Sequence, residues 1–465
     1  MSLQARPNIV IIYADDLGYG DVGCFGSEDV ATPHLDALAA RGVRLTNWYS
    51  NSPVCSPSRA SLLTGRYPVN AGVQEILGGG RSTHGLPEQP TLASVLAKEG
   101  YATGIFGKWH LGVAPDYRPS ARGFQQHYGF LAGCVDYYSH IFYWAQGSDP
   151  VHDLWENDTE VWNNGRYLTE VIAEKAGEFI EGNAQAPFFC YVPFNAPHYP
   201  MHAPAEYFDR FPHLEPERRA MAAMISAMDD GVGHIMSVLD AQGLSENTIV
   251  FFSSDNGPST ESRNWLNGEE VSYQGGSTGG LRGNKGSLFE GGIRVPALWS
   301  WPAQQAAAVD YEQPGAMMDV MPSLLEAVGS ATPSTVDGRS VLRALPSKQC
   351  ADASLTDAVD AAPAHATHAT QATQATHAAQ AADERTIFWE YGPQLAARQG
   401  PWKFTRSPRE HLGGEFVLDS MLVNLLSDPA EQHDLSQQHP DIAQSLNTQL
   451  QAWADSFGWD PTEWL

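Results

Sequence analysis

The residues best suited to chemistry lie in the run CSPSRASLLTGR, which begins at Cys55. Pro57 is typical of the first turn of a helix, where its missing N–H costs no hydrogen bond. A helix over about residues 58–63 would direct free N–H groups and its positive end towards the reaction partner of Cys55. Arg59 adds a permanent cation whose donors match the oxygens of an oxyanion. The run therefore predicts an anion-binding site beside a cysteine.

Titratable and oxygen-bearing side chains also follow the ends of four predicted strands. In open α/β sheets, ligands bind beyond the carboxyl ends of the strands, so these side chains are expected to converge. One of them alone could equally be a helix cap or a structural histidine. A further lysine comes from a glycine-rich loop that can approach a ligand closely. The residues are Asp15, Asp16, Lys108, His110, His198, Asp255, Asn256 and Lys285.

Four of these residues form a set that is suited to a hard cation. Asp15, Asp16, Asp255 and Asn256 offer only oxygen atoms, and three of the four are charged. Such ligands favour calcium, Ca²⁺, with Mg²⁺ as the alternative. Neither a cysteine pair nor an HExxH pattern indicates zinc.

The Cys55 run resembles the signature of the type I sulfatases, a family of the alkaline phosphatase superfamily. In that family a maturation enzyme oxidises the cysteine to formylglycine, also called 3-oxoalanine, whose hydrate is the nucleophile. The resemblance implies this modification at Cys55, and it implies that residue 55 joins the four oxygen-bearing residues around calcium. It also implies sulfate-binding and catalytic roles for Arg59, Lys108, His110, His198 and Lys285.

The reaction implied by the resemblance is hydrolysis of a sulfate ester. An aspartate deprotonates the hydrate, which attacks sulfur, while the metal, Arg59 and the two lysines stabilise the transferring group. His198, together with Lys285, protonates the leaving alcohol. His110 is the expected base for the elimination that expels sulfate and regenerates the aldehyde. A serine could not take this last step and would remain sulfated.

Two features indicate the substrate. Residues 134–140 resemble the corresponding stretch of N-acetylgalactosamine-4-sulfatase, or arylsulfatase B, and the glycine-rich loop 259–280 is expected to form a substrate rim. Trp144, Trp155 and Trp162 could stack on sugars or simply pack. We therefore expect a sulfated carbohydrate, such as a galactose or N-acetylgalactosamine 4-sulfate. The predicted substrate-binding residues are Asp136, His140, Arg263 and Trp265.

Three other functions remain open. The protein could be an arylsulfatase of small aryl esters, or a phosphonate or phosphate ester hydrolase on the same scaffold. It could also be a sulfated-glycan-binding protein whose Cys55 stays unmodified. A pure binder would need neither His110 nor an oxidisable cysteine, so the full set of catalytic residues favours an enzyme.

The apolar pattern predicts an α/β fold with a large, mainly parallel sheet that is covered by helices on both faces. A catalytic domain is expected over residues 1–345. Residues 346–384, rich in Ala, Thr, Gln and His, are predicted to be a dispensable linker or insertion, and residues 385–465 a small α+β domain. The predicted strands are 8–14, 102–106, 187–194, 248–253, 386–391, 402–406 and 415–418. The predicted helices are 32–41, 91–99, 168–181, 217–240 and 440–457.

Composition limits the partners and the location. The chain has 54 acidic against 27 basic residues, a balance that excludes a nucleic-acid binder of the usual basic kind but permits a locally positive site. Its apolar runs are shorter than the roughly 18 residues of a transmembrane segment. The protein is expected to be soluble, and cytoplasmic unless a signal peptide was removed, in which case periplasmic or secreted. The oligomeric state is left open.

Overall fold

The computed structural model describes residues 6–79, 82–142, 150–261, 274–348 and 385–460. Among these residues, no helix has both the length and the apolar character needed to cross a membrane. The strands are β1 (Asn8–Ala14), β2 (Val43–Leu45), β3 (Trp48–Tyr49), β4 (Ala102–Lys108), β5 (Gln126–Phe130), β6 (Ile141–Phe142), β7 (Val151–His152), β8 (Trp155–Glu156), β9 (Thr159–Glu160), β10 (Phe188–Pro193), β11 (Thr248–Ser254), β12 (Ala297–Ser300), β13 (Val309–Tyr311), β14 (Gly315–Ala316), β15 (Thr386–Tyr391), β16 (Gln394–Gln399), β17 (Trp402–Arg406) and β18 (Ser420–Asn424). The α-helices are α1 (Pro33–Ala40), α2 (Cys55–Thr64), α3 (Pro68–Ala71), α4 (Leu92–Lys98), α5 (Leu168–Gly182), α6 (Ala205–Phe208), α7 (Pro216–Ala241), α8 (Glu290–Ile293), α9 (Val320–Ala327) and α10 (Pro440–Asp455).

A ten-stranded sheet forms the centre of the larger part of the molecule, in the order β13-β2-β12-β11-β1-β10-β4-β5-β8-β9. Its middle strands β11, β1, β10, β4 and β5 run parallel to one another. The strand β12 is antiparallel to β11. Parallel neighbours need long crossover connections, and helices supply them. The predicted mainly parallel sheet is confirmed.

Helices cover this sheet on both faces, as the alternation along β1 requires. Val10 and Ile12 pack in a core with apolar residues of α5 and α7. Ile9 and Ile11 point to the opposite face and pack in a second core with residues of α2, α4 and α9. A strand that is buried on both faces has continuous apolar sequence, which explains the uninterrupted run of β1.

The C-terminal part is a four-stranded antiparallel sheet in the order β15-β16-β17-β18. Leu446 and Leu450 of α10 pack on one of its faces. On β15, the Trp389 ring lies 5.4 Å from the ring of Tyr49. The Trp389 indole N–H also donates to the Ser50 carbonyl oxygen at 2.8 Å, so this sheet contacts the segment that leads to Cys55.

Two details of the predicted elements were wrong. The strand predicted over 415–418 is instead β18 (Ser420–Asn424), whose residues 421–423 are buried and pair with β17. Phe416 makes only an isolated bridge to Arg409 and is 40% exposed, because its neighbours give it no sheet to pack on. Lys108 is the last residue of β4 rather than following it. Apart from residues 346–348, the predicted linker lies outside the described residues, and the domain boundaries remain predictions.

Candidate active site

The pairs Asp15–Asp16 and Asp255–Asn256 follow neighbouring strands, since β1 and β11 pair in parallel register. Ala14 lies opposite Ser254, so the next residues of both strands emerge at the same edge. The Asp255 N–H donates to the Ala14 carbonyl at 3.2 Å, and the Asp16 N–H donates to Asp255 Oδ1 at 3.1 Å. Asp16 has a left-handed φ of 62°, a conformation that aspartate tolerates better than most residues.

The side chains of these residues form a buried cluster with one unsatisfied acceptor. The Asn256 amide donates to Asp16 Oδ1 at 2.7 Å. Its other atom, Oδ1, is buried and accepts no hydrogen bond among the described residues. Buried polar atoms are seldom left without a partner, and an all-oxygen set with a spare acceptor fits a hard cation.

Cys55 is the first residue of α2 and lies against the same cluster. Its Sγ is 3.6 Å from Asp15 Oδ1 and 4.0 Å from Asp16 Oδ1. Asp15, Asp16, Cys55 and His198 each offer one potential metal-ligand atom, and these four atoms lie within 4.8 Å of one another. Burial raises the pKa of the Cys55 thiol well above its usual value, so the thiolate is disfavoured here.

Arg59 and Lys108 supply buried positive charge on one side of Cys55. Arg59 lies one turn along α2, and its Nη2 is 2.6 Å from Asp255 Oδ2 and 3.3 Å from Asp15 Oδ1. The Lys108 Nζ contacts both oxygens of Asp15, at 2.6 and 2.9 Å. Both cations are fully buried and therefore act in a low-dielectric environment.

The two neighbouring carboxyls respond differently to this environment. Burial, reinforced by the charge of Asp255, raises the pKa of Asp15 to about 7 although Lys108 opposes it. Burial also acts to raise the pKa of Asp255, but the Arg59 guanidinium and Lys108 lower it to about 2. The cluster thus contains three carboxyls, of Asp15, Asp16 and Asp255, which Arg59 and Lys108 alone do not neutralise.

Lys285 lies on the side of the cluster opposite Arg59 and Lys108, on a loop that is hydrogen-bonded to other segments of the site. Its Nζ lies 3.0 Å from Asp16 Oδ2. The Lys285 N–H donates to the Pro258 carbonyl and the Gly286 N–H to the Pro53 carbonyl, both at 2.9 Å. Gly286 has φ +87°, and a Cβ there would lie 2.4 Å from the backbone of Leu412, so this tight approach requires glycine.

The two histidines are held in different tautomers by carbonyl acceptors. The His110 Nε2 donates to the Leu77 carbonyl at 2.9 Å, which leaves Nδ1 as the free acceptor. The His198 Nδ1 donates to the Tyr199 carbonyl at 2.8 Å, which leaves Nε2 facing Lys285 Nζ at 3.5 Å. Burial, with nearby lysine charge, lowers the pKa of both rings well below the usual value. Both imidazoles are therefore neutral at physiological pH.

A pocket of about 290 Å³ opens onto this group of residues. Cys55, His110, His198 and Lys285 lie on its wall, so four of the six predicted catalytic residues share one cavity. Arg59 and Lys108 lie in the buried cluster beside it. The other wall residues were not predicted individually, although Cys134 lies in the stretch 134–140 and Glu261 in the loop 259–280 that were expected near the substrate. They are Ile76, Leu77, Gly78, Gly79, Gly133, Cys134, Phe142, Tyr199 and Glu261.

The predicted substrate-binding residues are placed less favourably. The Asp136 carboxylate accepts from the Ser139 N–H at 2.6 Å and the Tyr138 N–H at 3.0 Å, which is a local turn. His140 is fully buried, and neither residue lines the pocket formed by the described part of the chain. Arg263 and Trp265 lie outside the described residues. A binding role for these four residues remains a prediction.

Known proteins resemble this chain in sequence and in overall fold. The family described as "Sulfatase" matches residues 7–330. Arylsulfatase J of Mus musculus is 38% identical over 63% of this chain and 47% of its own length. N-acetylgalactosamine-6-sulfatase of Canis lupus familiaris is 35% identical over 74% of this chain and 67% of its own length. The chain thus spans about half to two thirds of these relatives.

A solved structure matches almost the whole chain. The crystal structure of Ps i-CgsB in complex with k-i-k-neocarrahexaose has a TM-score of 0.80 at 29% identity, covering 98% of this chain and 94% of that one. The α/β fold is that of the alkaline phosphatase superfamily. Within it, the chain belongs to the sulfatase family of sulfuric ester hydrolases, as the Cys55 run predicted.

Proposed function

We propose that this protein hydrolyses the sulfate ester of a carbohydrate, using formylglycine formed from Cys55 and a bound calcium ion. The observation that carries the proposal is the position of Cys55. It is buried at the start of α2, on the wall of a pocket that it shares with His110, His198 and Lys285. Formylglycine would supply a hydrated aldehyde as the nucleophile, which the buried thiol cannot replace.

The metal proposal is supported by the oxygen donors at the ends of β1 and β11. Asp15, Asp16, Asp255 and Asn256 would hold the ion, and the unpartnered Asn256 Oδ1 is the acceptor that most needs it. Calcium is preferred over magnesium because it takes about six to eight oxygen ligands, which this all-oxygen set can largely supply, whereas Mg²⁺ usually keeps several of its waters. The ion would supply positive charge at the sulfate oxygens.

Three side-chain cations would bind the sulfate group from two sides. Arg59 and Lys108 contact Asp15 on one side of the cluster, and Lys285 contacts Asp16 on the other. Donors that are already paired with fixed carboxylates need little reorganisation when negative charge develops on a transferring group.

Proton transfer to the leaving alcohol is assigned to the Lys285–His198 pair. The neutral His198 Nε2 can accept a proton from the Lys285 ammonium at 3.5 Å and pass it to an alkoxide in the pocket. The unpartnered His110 Nδ1 is available as a base on another wall of the same pocket. Each histidine presents an unprotonated nitrogen, and the Lys285 ammonium beside His198 makes that side the acid, while His110 serves as the base.

A carbohydrate substrate is supported by the structural neighbour bound to k-i-k-neocarrahexaose and by the relative named N-acetylgalactosamine-6-sulfatase. The test is a panel of mono- and oligosaccharides that are each sulfated at a single known position, including galactose and N-acetylgalactosamine 4-sulfates. Sulfate release should occur from one or a few saccharides and exceed release from nitrophenyl sulfate. Preference for nitrophenyl sulfate over all saccharides would contradict the carbohydrate assignment.

A further inference from the structure

A fourth carboxylate, Glu261, lies on the wall of the active-site pocket. Its Oε2 is 3.0 Å from Lys285 Nζ, and its side chain is only 10% exposed. Ser259 fixes it locally: the Ser259 hydroxyl donates to Glu261 Oε2 at 3.2 Å and accepts from the Glu261 N–H at 3.1 Å. No motif points to this residue, and the proposed mechanism does not use it.

Glu261 carries its charge at neutral pH. Burial acts to raise its pKa, but the Lys285 ammonium more than compensates and the pKa lies below its ordinary value. Its carboxylate therefore faces any anion that enters the pocket beside Cys55. A buried negative charge next to an anion-binding cation weakens that cation's attraction for the ligand.

The net charge of the described site decides which ester anion it favours. Four carboxylates face three side-chain cations, so a divalent metal ion would leave a net charge of +1. A sulfate monoester carries one negative charge and would be neutralised, whereas a phosphate monoester above its second pKa of about 6 carries two. The site residues counted are Asp15, Asp16, Asp255, Glu261, Arg59, Lys108 and Lys285.

We propose that Glu261 is a specificity-determining residue that makes the pocket select monoanionic sulfate monoesters over dianionic phosphate monoesters. The inference rests on the proposed metal-containing site and deepens it by assigning the residue that rejects the competing ester class. Removing the carboxylate would raise the net charge to +2, which matches a dianion. At the separation of neighbouring side chains, one unit of charge changes the affinity for a second charge by about tenfold or more.

The test is equilibrium binding of two isosteric esters to protein that cannot turn them over. Phenyl sulfate and phenyl phosphate are titrated calorimetrically into the Cys55→Ala protein with calcium at pH 8. The parent should bind phenyl sulfate more tightly. In Glu261→Gln, the ratio of the two dissociation constants should move towards phosphate by about tenfold or more, whereas Glu261→Asp keeps the charge and should keep the preference.

Glu75→Gln is the matched control, because Glu75 is an exposed carboxylate next to the pocket residue Ile76 and has no contact with Lys285. It should leave the ratio unchanged. Circular dichroism establishes folding of each variant, and Glu261→Ser replaces Glu261→Gln if the latter does not fold, since it removes the same charge.

An unchanged ratio in a folded, charge-removed variant would overturn the proposal, and so would an equal loss of preference in Glu261→Asp. Failure of both esters to bind the parent would overturn it as well. The enzymatic assignment is tested separately by sulfate release from the Cys55 protein. A shifted binding ratio without any such release would support the role of Glu261 while contradicting the proposed function.

Discussion

The molecule contains two buried clusters of charge, and the contrast between them shows what marks a functional site. The active-site cluster surrounds Cys55. The second, which we call the C-terminal cluster, lies where the four-stranded sheet meets α8. It consists of Glu290, Arg398, Lys403 and Glu431.

The C-terminal cluster satisfies its own hydrogen bonds. The Lys403 Nζ lies 3.0 Å from a carboxylate oxygen of Glu290 and 3.0 Å from one of Glu431. Tyr49 donates to Glu290 at 2.6 Å, and Arg398 contacts Tyr49. Such a closed ion network fits a role in holding the C-terminal sheet on the larger part.

The active-site cluster is equally buried but is not closed. Asn256 Oδ1 and His110 Nδ1 have no partner among the described residues, and a pocket opens beside Cys55. Burial of charge alone therefore does not indicate catalysis. Unused hydrogen-bonding atoms that face an accessible cavity do, because the missing partner is then a ligand.

The largest expected effect is on turnover when Cys55 is changed. Cys55→Ser and Cys55→Ala should each lower sulfate release by at least about a thousandfold, because neither a hydroxyl nor a methyl group can both take up sulfate and release it by elimination. Only the serine variant can retain a sulfate adduct, which peptide mass spectrometry would detect. Cys24→Ser, at a half-buried cysteine outside the site, should remain active. Full activity of protein whose Cys55 is still a thiol would refute the assignment.

Removing the lysine charge from the C-terminal cluster should lower stability rather than turnover. Lys403→Met leaves buried carboxylates without their cation and should lower the free energy of unfolding by about 3–5 kcal/mol. Denaturant titration measures this, and turnover per folded molecule should be nearly unchanged. Lys348→Met is the control, since that lysine is half exposed and 3.9 Å from Glu246, and it should cost less than about 1 kcal/mol. If Lys403→Met lost turnover without losing stability, the C-terminal cluster would be functional rather than structural, and the proposed distinction would be wrong.

Metal removal should distinguish the clusters again. Chelation followed by dialysis should lower sulfate release by about a hundredfold, with recovery on addition of calcium. Asn256→Ala should weaken calcium binding in a calorimetric titration, because it removes the unpartnered acceptor. Lys403→Met should bind calcium normally. Undiminished turnover after complete chelation would exclude the metal from the reaction.

The smallest effect concerns pH and Glu431. Burial and the charge of Glu290 raise the pKa of Glu431 from 4.5 to about 7 in the folded protein. Folding therefore favours the protonated form of Glu431. This preference adds to the free energy of unfolding at low pH, and that addition is lost as pH rises from 4.5 to 7. Between these values Glu431→Gln should gain about 1–2 kcal/mol of unfolding free energy relative to the parent. The pKa of Glu290 is lowered, so its own contribution changes below this window. A constant difference between the two proteins across the window would contradict the shift.

Much of the fold and most of the site could be predicted from the sequence, because both depend on local pattern. Continuous apolar runs predicted the strands of the parallel sheet. The residues after β1, β4, β10 and β11 were then expected to converge, since the carboxyl ends of parallel strands share one edge. The structure places His110 and His198 on one pocket with Cys55 and Lys285. The other predicted residues at this edge form the buried cluster that Cys55 contacts, namely Asp15, Asp16, Lys108, Asp255 and Asn256.

Residues whose surroundings come from distant parts of the chain were not predictable in this way. The predicted strand 415–418 fails because only tertiary packing decides which of two adjacent apolar stretches pairs with β17. Asp136 stays a predicted substrate-binding residue, but the sequence did not show that its Oδ1 accepts from the Tyr138 and Ser139 N–H groups of the following turn. The acidic character of Glu261 was visible, yet its contact with Lys285 depends on how two loops meet.

The sequence by itself determined which reactive groups are present: a cysteine at a helix start, oxygen-bearing side chains at strand ends, and several cations and histidines. Tertiary structure alone decided which charges face the cavity and which are closed off, as the comparison of Lys285 with Lys403 shows. The physical reason is that residue type and spacing fix which groups exist and which strand edge they leave. Their charge balance, tautomers and access to solvent are set by neighbours that are remote in sequence.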